Sequence, residues 1–316
     1  MFAAMQRRIL PIAAASVLFS VALGVGAVSA TTAPSAPADS VSADSISGAP
    51  ADSAASGTVP DPAECAQGLT LDDGVLTVAT GDPAFLPYVV DDYPTSGDGF
   101  ESAVAYAVAE QMGFDHDHVT WVRTTFDEAI QPGPKNFDFN IQQYAITPER
   151  SDVVTFSLPY YTTNQALVAN TDTPAATAAS LADVQALKIG VTSGTTSLTY
   201  VTDVIQPDSD PQIFNSNADL AAALDTKQID AIVVDLPTGI IMTVTDQLDS
   251  GIVVGQFPPA DSAAGEDWGM LFEKDNPLAD CVNYALLNLR ASGDLDEITT
   301  EWMVTAAGVP TIELDG

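Results

Sequence analysis

Apolar residues along this chain recur with two different periods, and the alternation between them sets out a fold. Val75-Leu76-Thr77-Val78-Ala79-Thr80 alternates with the two-residue period of a strand and runs into a Gly-Asp-Pro turn. Phe100, Val104, Ala107, Val108 and Met112 then lie at i, i+4, i+7, i+8 and i+12. That is one apolar face of a helix, which Gly113 ends as a left-handed cap. Residues 119–122 predict a second strand and residues 137–141 a third. Strand, helix, strand in that order predicts a parallel sheet with crossover helices. The order then repeats. Residues 187–191 read as a strand, Gly194-Thr195-Thr196-Ser197 as a turn into a helix, 213–215 as a short strand, 218–226 as a helix and 229–234 as a buried strand. A second α/β lobe is therefore inserted into the first. The chain leaves the first lobe near residues 162–165 and returns near 258–266, where Pro, Gly and Ala concentrate. Strands at 268–272 and helices around 281–289 and 297–303 complete the first lobe.

The two ends of the chain read differently. Residues 1–30 carry an export pattern: Arg7 and Arg8, an apolar run over 9–28, and the small-residue site Val28-Ser29-Ala30, which predicts cleavage after Ala30. Left uncleaved, that run is long enough to span a bilayer. Residues 31–60 are Ala, Ser, Thr, Pro, Gly and Asp with few large apolar side chains, a composition that predicts a flexible tether. The remainder, roughly 250 residues, is enough for two lobes.

The sequence holds 43 Asp and Glu against 9 Lys and Arg, for a net charge of −34. Repulsion on that scale excludes nucleic acid and anionic membrane surfaces as partners. Solubility in a saline setting accounts for the excess. The two cysteines, Cys65 and Cys281, stand at opposite ends of the folded region, and in an exported chain an even count predicts a disulfide. Neither has metal-ligand spacing, and no P-loop, dinucleotide fingerprint, CxxC or GxSxG occurs, so no cofactor is expected. His116 and His118 alternate with aspartates, which invites a metal. They stand in a connector between helix and strand, and a solvated connector is the stronger reading.

Beyond the leader only Arg123, Arg150 and Arg290 carry a guanidinium. Arg150 closes Ile146-Thr147-Pro148-Glu149-Arg150, and an apolar strand follows that ends Ser157-Leu158-Pro159-Tyr160-Tyr161. A guanidinium offers two parallel N–H groups and stays charged at any physiological pH, so it is a natural clamp for a carboxylate. A surface salt bridge is the ordinary alternative. The motif resembles the family 3 extracellular solute-binding proteins, the amino-acid receptors of ABC importers, and the similarity runs over about residues 76–302. The resemblance implies an α/β, two-lobed type 2 periplasmic-binding-protein (Venus-flytrap) fold with the second lobe inserted into the first. Residues 61–161 and 267–316 would form lobe 1 and 166–260 lobe 2, with hinges at about 162–165 and 258–266. It further implies an exported monomer that binds an amino acid in the interlobe cleft and delivers it to an ABC-type import permease. No Leu-x-x-Cys arrangement stands at the leader's end, a departure from the lipoprotein receptors of this family in Gram-positive bacteria.

An α-amino acid buried in a cleft needs a partner for each of its charges. Arg150 would take the carboxylate, aided by the Gly194-Thr195-Thr196 turn at a helix N-terminus. In the family the second residue of such a Thr pair hydrogen-bonds the carboxylate, which maps to Thr196; plain N-capping by Thr195 and Thr196 is compatible with that role. Asp235, at the C-terminal end of a buried strand, would take the ammonium, or else initiates the turn before Pro237. The resemblance places Phe85 and Phe126 beside the ligand side chain. Asp82 would read a cationic or hydroxylated side chain, or cap a turn. Where many relatives have Ser or Thr, this chain has Ala145, with Gln143 two residues earlier, so one ligand contact is lost or is supplied by backbone. Two other functions fit the same fold. One is an exported enzyme resembling dehydratases of cyclic amino acids, with Glu149 or Asp127 as general acid or base. The other is a membrane-anchored sensor module, which would need a signalling domain.

Overall fold

The computed structural model describes residues 59–245, 247–259, 265–303 and 308–314. The leader, nearly all of the tether and part of the second expected hinge lie outside these residues. Among the described residues twelve strands make two five-stranded sheets and one short ladder. They are β1 (Leu76–Gly81), β2 (Val119–Thr124), β3 (Phe139–Asn140), β4 (Thr155–Phe156), β5 (Tyr161–Thr163) and β6 (Gln165–Asn170), then β7 (Ile189–Thr192), β8 (Gln212–Phe214), β9 (Ala231–Asp235), β10 (Gly251–Gln256), β11 (Glu266–Trp268) and β12 (Leu271–Phe272). The first sheet has the order β2-β1-β3-β12-β4 and the second β10-β6-β9-β7-β8.

The expected parallel core is present in both sheets. β1 pairs parallel with β2, from Leu76 against Val119 to Gly81 against Thr124, and with β3. β7 pairs parallel with β8 and β9. Antiparallel strands complete each sheet: β12 between β3 and β4, and β6 between β9 and β10. Every residue of β6 is buried, and its centre, residues 166–169, is a continuous apolar run with no alternation to mark it.

The helix Phe100–Gln111 lays Phe100, Val104 and Val108 against the first sheet, and Gly113 follows at φ 82°. Its stripe meets the helix Leu278–Ser292 in one apolar core. The Cys65–Cys281 disulfide joins the latter helix to Pro62–Ala66, with Cα atoms 5.4 Å apart, and closes a span of 216 residues. For so long a loop the chain-entropy model gives stabilisation of up to about 5 kcal/mol.

The lobes are linked where β5 runs through Asn164 into β6. Beside this crossing β11 pairs antiparallel with β5, Glu266 against Thr163 and Trp268 against Tyr161. Trp268 is fully buried, its ring 5.1 Å from that of Tyr161 and 5.7 Å from that of Tyr88.

One expectation needs correction. The stretch 267–316 does not all belong to lobe 1, because residues 308–314 lie on the second sheet. The Gln256 N–H donates to the Pro310 carbonyl at 2.8 Å, the Ile312 N–H donates to the Gln256 carbonyl at 2.8 Å, and Ile312 is buried in the core that holds Phe257 and Leu167. The reason is a short alternation, Thr311-Ile312-Glu313-Leu314, which offers two apolar side chains to a sheet edge and two polar ones to water.

Candidate functional site

Between the lobes lies a cavity of about 190 Å³. Lobe 1 lines it with the loop after β1, the start of the helix Phe126–Ile130, and Gln142, Gln143 and Arg150. Lobe 2 lines it with the end of β7, the turn at Thr195–Thr196, residues 215–217, Asp235 and Thr238. Two hydrogen bonds bridge the walls: Tyr88 Oη to Thr238 Oγ1 at 2.8 Å, and Arg150 Nη2 to the Gly194 carbonyl at 2.9 Å. The approach is close. Gly194 has φ 71°, and a Cβ there would strike Asp127 Oδ1 from the opposite lobe.

Arg150 sits in a one-turn helix, Pro148–Ser151, whose N-cap Thr147 accepts the Arg150 N–H at 3.2 Å. The residue is only 8% exposed. Nη1 donates to the Ala145 carbonyl at 2.7 Å, and the guanidinium carbon lies 5.3 Å from the centre of the Phe126 ring. Two of five donors are thus used. Among the described residues no carboxylate pairs with it within 4.0 Å. Burial lowers its pKa, while Tyr144, Asp235, Glu266 and Asp127 act in the opposite direction. A buried guanidinium held by two neutral carbonyls retains both its charge and its capacity for an anion.

Asp235 ends β9 and precedes the helix Leu236–Val244, yet its side chain makes no capping bond. Its Oδ1 accepts instead from Gln165 Nε2 at 2.7 Å. Desolvation raises its pKa well above the carboxylate range, and the nearby Glu266 raises it further. Turn initiation therefore does not account for the carboxylate.

Thr195 and Thr196 line the cavity, but their hydroxyls are engaged elsewhere. Thr195 Oγ1 donates to the Thr192 carbonyl at 2.7 Å and accepts the Leu198 N–H at 3.3 Å, which makes it a cap. Thr196 Oγ1 donates to Glu266 Oε2 at 2.6 Å, so the hydroxyl expected to meet a ligand carboxylate faces a protein carboxylate. What the turn can offer an anion is the backbone N–H groups of its first residues.

Phe85, Phe126 and Asp82 all line the cavity, Asp82 exposed at its rim. Phe126 stacks on Tyr144 at 4.6 Å and lies beneath Arg150. Ala145 is buried outside the main cavity; its contribution is the carbonyl that holds Arg150. Gln143 lines the cavity in a left-handed backbone conformation, φ 49°.

Sequence reasoning passed over Glu101, Gln165 and Glu266. Glu101 is fully buried and lines the cavity floor, where it accepts the Gln143 N–H at 2.8 Å, the Gln143 side-chain amide and the Tyr160 hydroxyl. Burial raises its pKa to about 7. The signal was present: with Val104, Ala105 and Val108, Glu101 lies on the buried helix stripe at i, i+3, i+4 and i+7. The alternative general acids differ in placement, Glu149 being exposed and outside the main cavity and Asp127 exposed beside Gly194. The pair His116 and His118 belongs to no group of metal-ligand type among the described residues, and His116 stacks on Tyr106 at 4.1 Å.

No helix among the described residues is long and apolar enough to cross a membrane. The chain is 28% identical over 210 residues to an ABC transporter arginine-binding protein of Escherichia coli (strain K12), covering 65% of this chain and 81% of that one. It is 29% identical to the glutamate-binding protein GluB of Corynebacterium efficiens, covering 63% and 67%. Among solved structures, an ancestral amino acid-binding protein, a precursor of cyclohexadienyl dehydratase, superposes with a TM-score of 0.60 at 28% identity, covering 73% of this chain and 96% of that one. The model of the bacterial extracellular solute-binding proteins, family 3, matches residues 76–305, and the chain belongs to that family.

Proposed function

We propose that this protein captures a free amino acid between its lobes and presents the closed form to an ABC-type import permease. One observation carries the reading: buried Arg150 from lobe 1 and half-buried Asp235 from lobe 2 face one cavity, neither paired with an opposite charge within 4.0 Å among the described residues. An α-carboxylate laid on Arg150 and an α-ammonium on Asp235 would satisfy both and draw the lobes together. Names of relatives support the class, arginine for one and glutamate for another. Phe85, Phe126 and Asp82 are placed to meet the ligand side chain, and the acidic rim favours a cationic or neutral side chain over an acidic one. Binding alone requires no covalent step, which makes a receptor a simpler reading than an exported dehydratase. Native mass spectrometry of the protein with L-arginine, L-glutamine and L-glutamate tests this. A one-to-one complex with at least one of them is expected, and no complex with any of them would overturn the reading.

A further inference from the structure

Behind the Asp235 side of the cavity stands a second carboxylate on a different element. Glu266 opens β11, the strand that returns from lobe 2 to lobe 1. Its Oε1 accepts from Gln165 Nε2 at 3.0 Å, and the same nitrogen donates to Asp235 Oδ1 at 2.7 Å. The amide orientation is fixed from the other side, because Ser197 Oγ donates to Gln165 Oε1 at 2.6 Å. Gln165 is 2% exposed, so its two amide hydrogens are committed one to each carboxylate. A single buried neutral amide thus spans two half-buried acids, Asp235 on the interlobe cavity and Glu266 beside the outer cleft.

We propose that Asp235, with the Glu266 carboxylate behind it on the same Gln165 amide, seats the ligand ammonium, holding one proton before binding and releasing it when the ammonium arrives. The proposal rests on the amino-acid reading above. Among the described residues no cation pairs with either carboxylate within 4.0 Å, and a carboxylate beside Asp235 favours a proton on it. The charged and titratable groups around them leave no other partner. Arg150 faces both but donates to Ala145 and Gly194, while the hydroxyls of Tyr88 near Asp235 and of Tyr200 near Glu266 are neutral at physiological pH. Burial and Glu266 both favour the protonated form of Asp235. A ligand carboxylate is taken up by Arg150, which leaves the ammonium as the cation nearest the pair. The balance is simple. The pair carries one negative charge and one proton; the bound state has two carboxylates and one ammonium, and the proton goes to buffer.

Isothermal titration of the full exported chain with L-arginine, L-glutamine and L-glutamate, in buffers of different ionisation enthalpy between pH 6.5 and 8, reads the proton count. We expect release approaching one proton per ligand at the acidic end. The apparent Kd should weaken toward tenfold per pH unit as the pH falls below the titration of Asp235. Glu266→Gln should still bind, with clearly less proton release and a flatter pH dependence. Glu101→Gln, which removes the other buried acid of the cavity, should leave the release intact. Binding with buffer-independent heat overturns this inference and leaves the amino-acid reading standing, whereas failure of all three ligands to bind overturns both. Release that persists in Glu266→Gln and vanishes in Glu101→Gln assigns the proton elsewhere and also overturns it.

Discussion

Replacing Glu101 by Gln should reverse part of the pH dependence of stability. Glu101 is fully buried under the cavity, and its pKa rises from an ordinary 4.5 to about 7, chiefly through desolvation. The sign follows from linkage. A carboxyl with a raised folded-state pKa binds a proton more tightly in the native state, so its contribution is fully present below the unfolded value and is lost as pH rises through about 7. The span of about 2.5 pH units, at 1.36 kcal/mol each, comes to about 3 kcal/mol. Asp235 and Asp138 are raised in the same direction, but both remain in the variant, so the difference between the two proteins isolates Glu101. Any rearranged hydrogen bonds to Gln143 and Tyr160 shift the variant's stability by an amount that does not vary with pH. Urea unfolding of both proteins at pH 4 and pH 8 is the assay. The stability of Glu101→Gln relative to wild type should be about 3 kcal/mol more favourable at pH 8 than at pH 4. Parallel pH profiles for the two proteins would refute the reasoning and would mean that Glu101 titrates as an exposed acid.

Two further outcomes test the frame around the site. Alkylation without reductant should label neither Cys65 nor Cys281, and reduction should lower stability by up to about 5 kcal/mol; labelling of both thiols in folded, unreduced protein contradicts the disulfide. Ile312→Ala should destabilise by about 2 kcal/mol or more, because the side chain is 2% exposed in the core of lobe 2, and an unchanged denaturation midpoint would mean that the C-terminal segment does not dock there in solution.

Much of the cleft was legible because its features are local. Arg150 stood out as a scarce cation inside a motif, and Asp235 as a carboxylate ending a run of buried β-branched residues. The parallel strands and the helix Phe100–Gln111 declared themselves by periodicity. What escaped depends on pairings distant in sequence. Glu266 stands in a stretch without period, and it reaches Thr196 and Gln165 only because β11 pairs with β5. The same contact redirected the Thr196 hydroxyl, which a residue-by-residue reading had no means to foresee. Glu101 was masked differently, since an acid in the first turn of a helix is ordinary. The antiparallel strands β6 and β10 carry no two-residue alternation of burial, so the sequence marks neither as a strand.

The central claim is that one ligand bridges Arg150 and Asp235. Calorimetric titration of wild type, Arg150→Ala, Asp235→Ala and the double variant, using whichever amino acid forms the complex, tests it most directly. Removing either residue leaves a buried ligand charge without its partner, a loss of about 2–5 kcal/mol. Each single variant should therefore bind roughly thirty-fold to several-thousand-fold more weakly. Arg150→Lys should bind poorly as well, because an ammonium does not reproduce the two-pronged grip of a guanidinium. Single variants that remain folded and bind like wild type would contradict the account.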